Sequence, residues 1–186
     1  MTYLHCIFLR CATSLPALAF ALAFALFLTV SRPAAGQDIV PIPLAKHGVW
    51  AAYKYETQEE GPVCYAITTP IEEKGNYTRR GNVRLFVTSR PTTGSFPRRI
   101  TIVAGYTHLN GSVVQASIGN QEFTLQVRGE ISHTRDQQGN DGMLEAMKRG
   151  TNMTVVGRST RSTLTTDTYS LIGLTRTVAA IDRACA

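Results

Sequence analysis

The sequence predicts a mainly β domain, an antiparallel sandwich or barrel-like sheet with two short α-helices, one of them at the C-terminus. Short runs rich in β-branched and aromatic residues recur along the chain. Their separators carry glycine, proline and asparagine in turn-forming pairs. Strand runs follow one another without the helical segments that parallel β-α units need, which favours an all-antiparallel sheet.

Residues 1–36 stand apart from this pattern. Arg10 is the only charge in the opening residues, and Ala17 to Val30 is apolar throughout except for Thr29. Ser31-Arg32-Pro33 breaks the run, and Ala34-Ala35-Gly36 offers the small residues of a cleavage site. This order is that of a secretory signal, with cleavage expected after Gly36. The competing reading is an uncleaved anchor, because from Cys11 the segment nears the roughly 20 residues that span a bilayer. Once the signal is cleaved, no membrane segment is expected to remain.

Residues 37–47, punctuated by Pro41 and Pro43, lack a period and predict an extended arm. The domain is expected over 48–186. Its strands are predicted at Val49–Tyr55 (with the only tryptophan, Trp50), Val63–Thr69, Val83–Thr88 and Ile100–Tyr106. They continue at Val113–Ile118, Glu122–Val127, Met153–Gly157 and Leu164–Leu171. Val113–Ile118 and Glu122–Val127 flank Gly119-Asn120 and predict a hairpin. Phe86 lies in an alternating strand and reads as core. One helix is expected over Gly142–Arg149, capped by Asn140 or Asp141, stopped by Gly150, and burying Met143, Leu144 and Met147. The other is expected over Thr175–Ala184, where Leu174, Val178, Ile181 and Cys185 share one face.

Beyond the leader only Cys64 and Cys185 remain. In an oxidising compartment two cysteines allow one intramolecular bond, so a Cys64–Cys185 disulfide is expected. A catalytic thiol or a metal pair are the competing readings, but neither cysteine has a nearby Cys or His at ligand spacing.

The formal net charge of +6 falls to +4 when Arg10 and Arg32 leave with the leader. The remaining positive charge is uneven. Arg79, Arg80, Arg84, Arg90, Arg98 and Arg99 fall in one short stretch and are the expected site for an anionic partner, since guanidinium grips phosphate and carboxylate bidentately. Positive charge that merely guards strand edges is the plainer alternative. Phe86, Phe96 and Tyr106 interleave with these arginines as in sheet-based nucleic-acid readers. The basic excess is too small for a dedicated nucleic-acid binder. An anionic glycan, a lipid headgroup or a host or envelope protein is the expected partner class.

Catalytic patterns are missing. His47, His108 and His133 are isolated and read as turn or surface residues, so neither a metal nor a cofactor is expected. Ser159–Thr168 is hydroxyl-rich but holds no nucleophile elbow. Asp167 reads as a cap or bridge within its own hairpin. An enzyme would require a deep pocket gathering Asp167, His108 or His133, and Tyr169.

Several blocks resemble a known family. They are Trp50-Ala51-Ala52-Tyr53 before Cys64-Tyr65-Ala66, Leu85-Phe86-Val87-Thr88 leading to Arg90-Pro91, and Ala104-Gly105-Tyr106. The C-terminal block adds Ala146–Gly150, Met153–Gly157, Thr165-Thr166-Asp167-Thr168-Tyr169-Ser170-Leu171, and Ala180-Ile181-Asp182 before Cys185. Together these are similar to the invasion-associated locus B family, from Gly48 onward. There are departures: Gly129-Glu130-Ile131-Ser132-His133 stands where a tryptophan after a Gly-Asp-Gly turn is expected, and Leu174 where many relatives carry Phe. The resemblance implies a non-enzymatic protein of the periplasm or outer surface of a Gram-negative bacterium, linked to virulence and host-cell invasion in pathogenic relatives. It brings no catalytic residues. A periplasmic enzyme or accessory, and a structural envelope or stress protein, are the alternatives.

Overall fold

The computed structural model describes residues 40–58, 61–90 and 98–186. The expected leader and cleavage site lie outside the described residues, as does Phe96. In chain order the strands are β1 (Ile42–His47), β2 (Trp50–Thr57), β3 (Gly61–Thr68), β4 (Glu72–Gly75), β5 (Arg84–Ser89), β6 (Arg98–Val103), β7 (Val113–Ile118), β8 (Gln121–Arg128), β9 (Ile131–His133), β10 (Asn152–Arg158) and β11 (Leu164–Ser170). The helices are α1 (Gln137–Arg149) and α2 (Leu174–Ala184).

All eleven strands join one antiparallel sheet in the order β1-β2-β3-β5-β6-β9-β8-β7-β10-β11-β4. The sheet is open, with β1 and β4 as its edges. The segment expected as an extended arm supplies β1, paired along β2 through a register shift between Pro43 and Ala45. An edge strand tolerates Pro43 because proline needs no ladder partner on its outer side. Chain order and sheet order part at β4. The chain leaves β3, pairs β4 with β11 at the far edge, and returns to lay β5 beside β3.

On the inner face Ala52, Ala66, Val87 and Ile100 form one cross-strand row. The short Ala52 and Ala66 leave room for α2, which packs over β1, β2 and β3. Leu174, Val178, Ile181 and Cys185 are buried, as their spacing predicts. Gly173 enters α2 at φ 99°, where an added Cβ would lie 2.1 Å from the carbonyl oxygen of His47. That close approach demands glycine. Trp50 is fully buried and donates from Nε1 to the carbonyl of Ser170 at 2.9 Å.

Cys64 on β3 is bonded to Cys185 at the end of α2, across a sequence separation of 121. Closing a loop of that length stabilises the fold by about 4–5 kcal/mol in the chain-entropy account.

Helix α1 begins earlier than its apolar spacing suggests. Asp136 is the cap, accepting from the Gly139 amide at 2.8 Å. Asn140 lies inside the helix instead, fully buried, accepting from Ile100 N at 2.8 Å and donating to Arg98 O at 3.1 Å. It serves backbone groups of β6 at its start, where β9 has not yet begun to pair. Gly150 ends the helix for a packing reason. Its φ is −83°, and an added Cβ would meet Ile118 Cγ2 at 2.6 Å and Leu171 Cδ1 at 3.0 Å.

Candidate functional site

A cleft of about 630 Å³ opens where the crossover from β4 to β5 passes β11. The crossover is pinned by glycines. Gly105, at φ 70°, accepts from the Gly81 amide at 2.9 Å, and a Cβ on Gly105 would lie 2.5 Å from Gly81 O. This contact aims Arg80 inward. Its Nη1 and Nη2 donate to Oδ1 and Oδ2 of Asp167 at 2.6 and 2.7 Å, and Nε donates to Ala104 O at 2.7 Å. Glu73 accepts a longer bond from Nη1 at 3.4 Å. The two paired side chains are only 4% and 3% exposed. Burial alone would lower the Arg80 pKa, but the hydrogen bonds and charge of Asp167 outweigh it and hold it above the ordinary value.

Two aromatic rings flank this guanidinium, Tyr77 at 5.5 Å and Tyr106 at 5.1 Å from their centroids. The Tyr106 hydroxyl meets Thr165 Oγ1 at 2.7 Å, and burial raises its pKa. Above this floor, Arg79 and Arg161 stand exposed at the rim, without an ion pair among the described residues. Hydroxyls from Thr78, Thr107, Ser159, Thr160 and Thr163 complete the lining, with Asn76. The lining holds no carboxylate, histidine or cysteine. With Arg80 neutralised by Asp167, the cleft presents net positive charge and hydrogen-bond donors.

Asp167 therefore bridges to a residue 87 positions away, not within its own hairpin. His108 is buried, not a surface residue. It is 5% exposed and stands edge-on to Tyr106 with ring centroids 5.1 Å apart. Burial lowers its pKa, the backbone of Arg158 partly offsets this, and the charge of Arg80 adds to the lowering. Tyr169 is fully buried, with its hydroxyl unpartnered and its pKa pushed up by burial. Neither lines the cleft, and His133 lies on β9. Among the described residues no three His, Cys, Asp or Glu gather as a metal site.

The six arginines of the stretch are divided among four settings. Arg79 rims the cleft, and Arg80 is its paired floor. Arg98 reaches Asp182 of α2 as an ion pair. Arg84, Arg90 and Arg99 belong to the outer face of β5 and β6, together with Phe86. Phe86 is thus not a core residue: Leu85 and Val87 point inward and are fully buried, while Phe86 packs on Tyr65 at 6.0 Å. Strand alternation predicts that one set is buried; the packing of α2 on the other side decides which. Sequence reasoning missed Arg161, Tyr77 and Ser159 as lining residues. Nothing local signals them, because three separate connections meet only in the folded sheet.

The crystal structure of invasion associated protein b from Bartonella henselae is similar in fold. Its TM-score is 0.53 at 11% sequence identity, over 77% of this chain and 97% of that chain. No curated protein matches the sequence. The profile of the Invasion associated locus B (IalB) protein family matches residues 50–182, a span that runs from Trp50 in β2 to Asp182 in α2. With that match over most of its length, the chain belongs to the IalB family.

Proposed function

We propose that this protein acts by binding, not by catalysis, and that its cleft receives the anionic group of a cell-envelope or host-surface partner. IalB proteins are exported, and no helix among the described residues is long and apolar enough to cross a membrane. The observation that carries the reading is the cleft lining: exposed Arg79 and Arg161 over a ring of hydroxyls, with the one nearby carboxylate pair already committed to Arg80. Guanidinium groups held at a concave rim bind phosphate, sulfate or carboxylate without needing a general base. The name of the family and of its Bartonella relative supports a place in host-cell invasion for this binding step.

Lipopolysaccharide micelles and phosphatidylglycerol vesicles test it, with phosphatidylcholine vesicles as the neutral control. The parent chain is expected to bind at least one anionic surface, weakening as salt rises. The Arg79→Ala/Arg161→Ala variant is expected to lose about tenfold in affinity, near 1.4 kcal/mol. Unchanged binding by that variant, or equal binding to the neutral vesicles, would remove the cleft from the function. An enzymatic reading has only the concavity in its favour, since Asp167 is locked and His108 and Tyr169 lie behind the cleft wall.

A further inference from the structure

The outer face of β2, β3, β5 and β6 takes no part in the cleft. Register places Tyr53, Tyr65, Thr88 and Arg99 in one row across these four strands. Ile67, Phe86 and Thr101 follow in the next row. Tyr65 is the hub of the aromatic group, with the rings of Tyr53, Tyr55 and Phe86 at 5.4, 5.9 and 6.0 Å. A groove of about 370 Å³ runs over Tyr55, Tyr65 and Phe86, bounded by Pro41 and Arg90. The rings are half-buried by one another, and no described helix covers them. Arg84, exposed at the start of β5, lies close enough for its charge to act on Tyr65. These rows carry arginine and no acid.

Four adjoining rings, each partly exposed, form an aromatic cluster on a sheet face that no described helix covers, and clusters of this kind mark binding surfaces. The patch is not simply greasy. Three of its rings are tyrosines, threonine hydroxyls alternate with them, and arginines stand at its margin. We infer that this face is a second binding site, separate from the cleft, and that it takes an acidic polysaccharide chain. The negative face of an aromatic ring attracts the polarised C–H groups that line one side of a sugar ring. Sugar rings therefore stack along Tyr55, Tyr65 and Phe86, their hydroxyls meet Thr88 and Thr101, and their acid groups face Arg84. A strand face also binds oligosaccharides in the OB-fold barrel. Single-stranded nucleic acid would use the same stacking, but a net charge of +6 on 186 residues is small for that role.

Titration calorimetry on the full chain tests the assignment with three probes of equal length: oligogalacturonate, neutral dextran and oligo(dT). Oligogalacturonate is expected to bind at least about tenfold more tightly than either other probe, since charge and stacking act together. Tyr65→Ala should weaken it about tenfold, and Arg84→Ala should flatten its salt dependence. Thr101→Glu places a like charge on the face without touching the core. It should weaken binding by a similar factor while leaving the unfolding transition in place, which separates lost binding from lost folding. Arg79→Ala/Arg161→Ala should bind oligogalacturonate as the parent does, so the two sites can fail independently. The inference is overturned if oligogalacturonate does not bind, if dextran binds equally, if oligo(dT) binds more tightly, or if Tyr65→Ala and Thr101→Glu bind as the parent.

Discussion

The cleft and the outer aromatic face draw on the same short stretch of sequence and use it in opposite ways. In the cleft, Arg80 is taken out of water and held by Asp167, far away in the chain, with Ala104 and Glu73 completing its bonds. On the outer face, Phe86 and Arg84 rest on strand alternation and need only neighbours one strand away. A buried charge has to find a partner, whatever the sequence distance, or pay several kcal/mol. A half-exposed ring keeps part of its surface in water and has no such requirement. The first region is therefore brittle and specific to the whole fold, while the second tolerates change and is open to a ligand.

Breaking the ion pair is the largest expected effect on this contrast. Asp167→Ala should destabilise the protein by about 3–5 kcal/mol in urea unfolding, because Arg80 is left buried and uncompensated. Replacing both partners together, Arg80→Met with Asp167→Leu, should recover much of that loss. If the single and double variants unfold alike, the pair does not hold the crossover in place. A middle-sized effect compares adjacent residues of β5. Leu85→Ala should cost about 2–5 kcal/mol through a core cavity, and Phe86→Ala only about 0.5–1.5 kcal/mol through lost ring contacts. Equal losses would mean that the outer face is covered as thoroughly as the core.

The smallest effect is in the pH dependence. His108 is held neutral by burial, so its folded pKa lies below the ordinary 6.5 of the unfolded chain. The unfolded state then binds the extra proton first, and stability is full above about pH 6.5 and falls as pH drops below it. Unfolding measured between neutral and mildly acidic pH should show this slope in the parent and lose it in His108→Phe. A slope that survives the substitution would assign it to other groups.

Much of this arrangement is legible in local sequence. The β5–β6 and β7–β8 strands follow from alternation and turn residues, and α2 from the spacing of Leu174, Val178, Ile181 and Cys185. The remainder depends on longer reach. β4 is a short run of charged residues, and β9 is only three residues long, so neither carries an apolar period to read. β1 was obscured by Pro41 and Pro43, which an edge strand accommodates. Asp136 and Asn140 are both residue types that cap helices, and only packing against β6 separates the cap from the buried amide. Arg79 and Arg80 are identical in kind and adjacent in sequence. Their different surroundings arise from Gly81 meeting Gly105, a contact between segments that no spacing reveals.

By itself, the sequence determined a β-rich domain, a pair of cysteines positioned to join, and family membership through its C-terminal motifs. Those properties reside in residue type and short-range periodicity, which are fixed before the chain folds. Tertiary structure alone decided which arginines are neutralised and which face solvent, and that Phe86 lies outside the core. Burial and ion pairing depend on what a distant strand or helix brings alongside, and here that is settled by the crossover to β4 and the docking of α2.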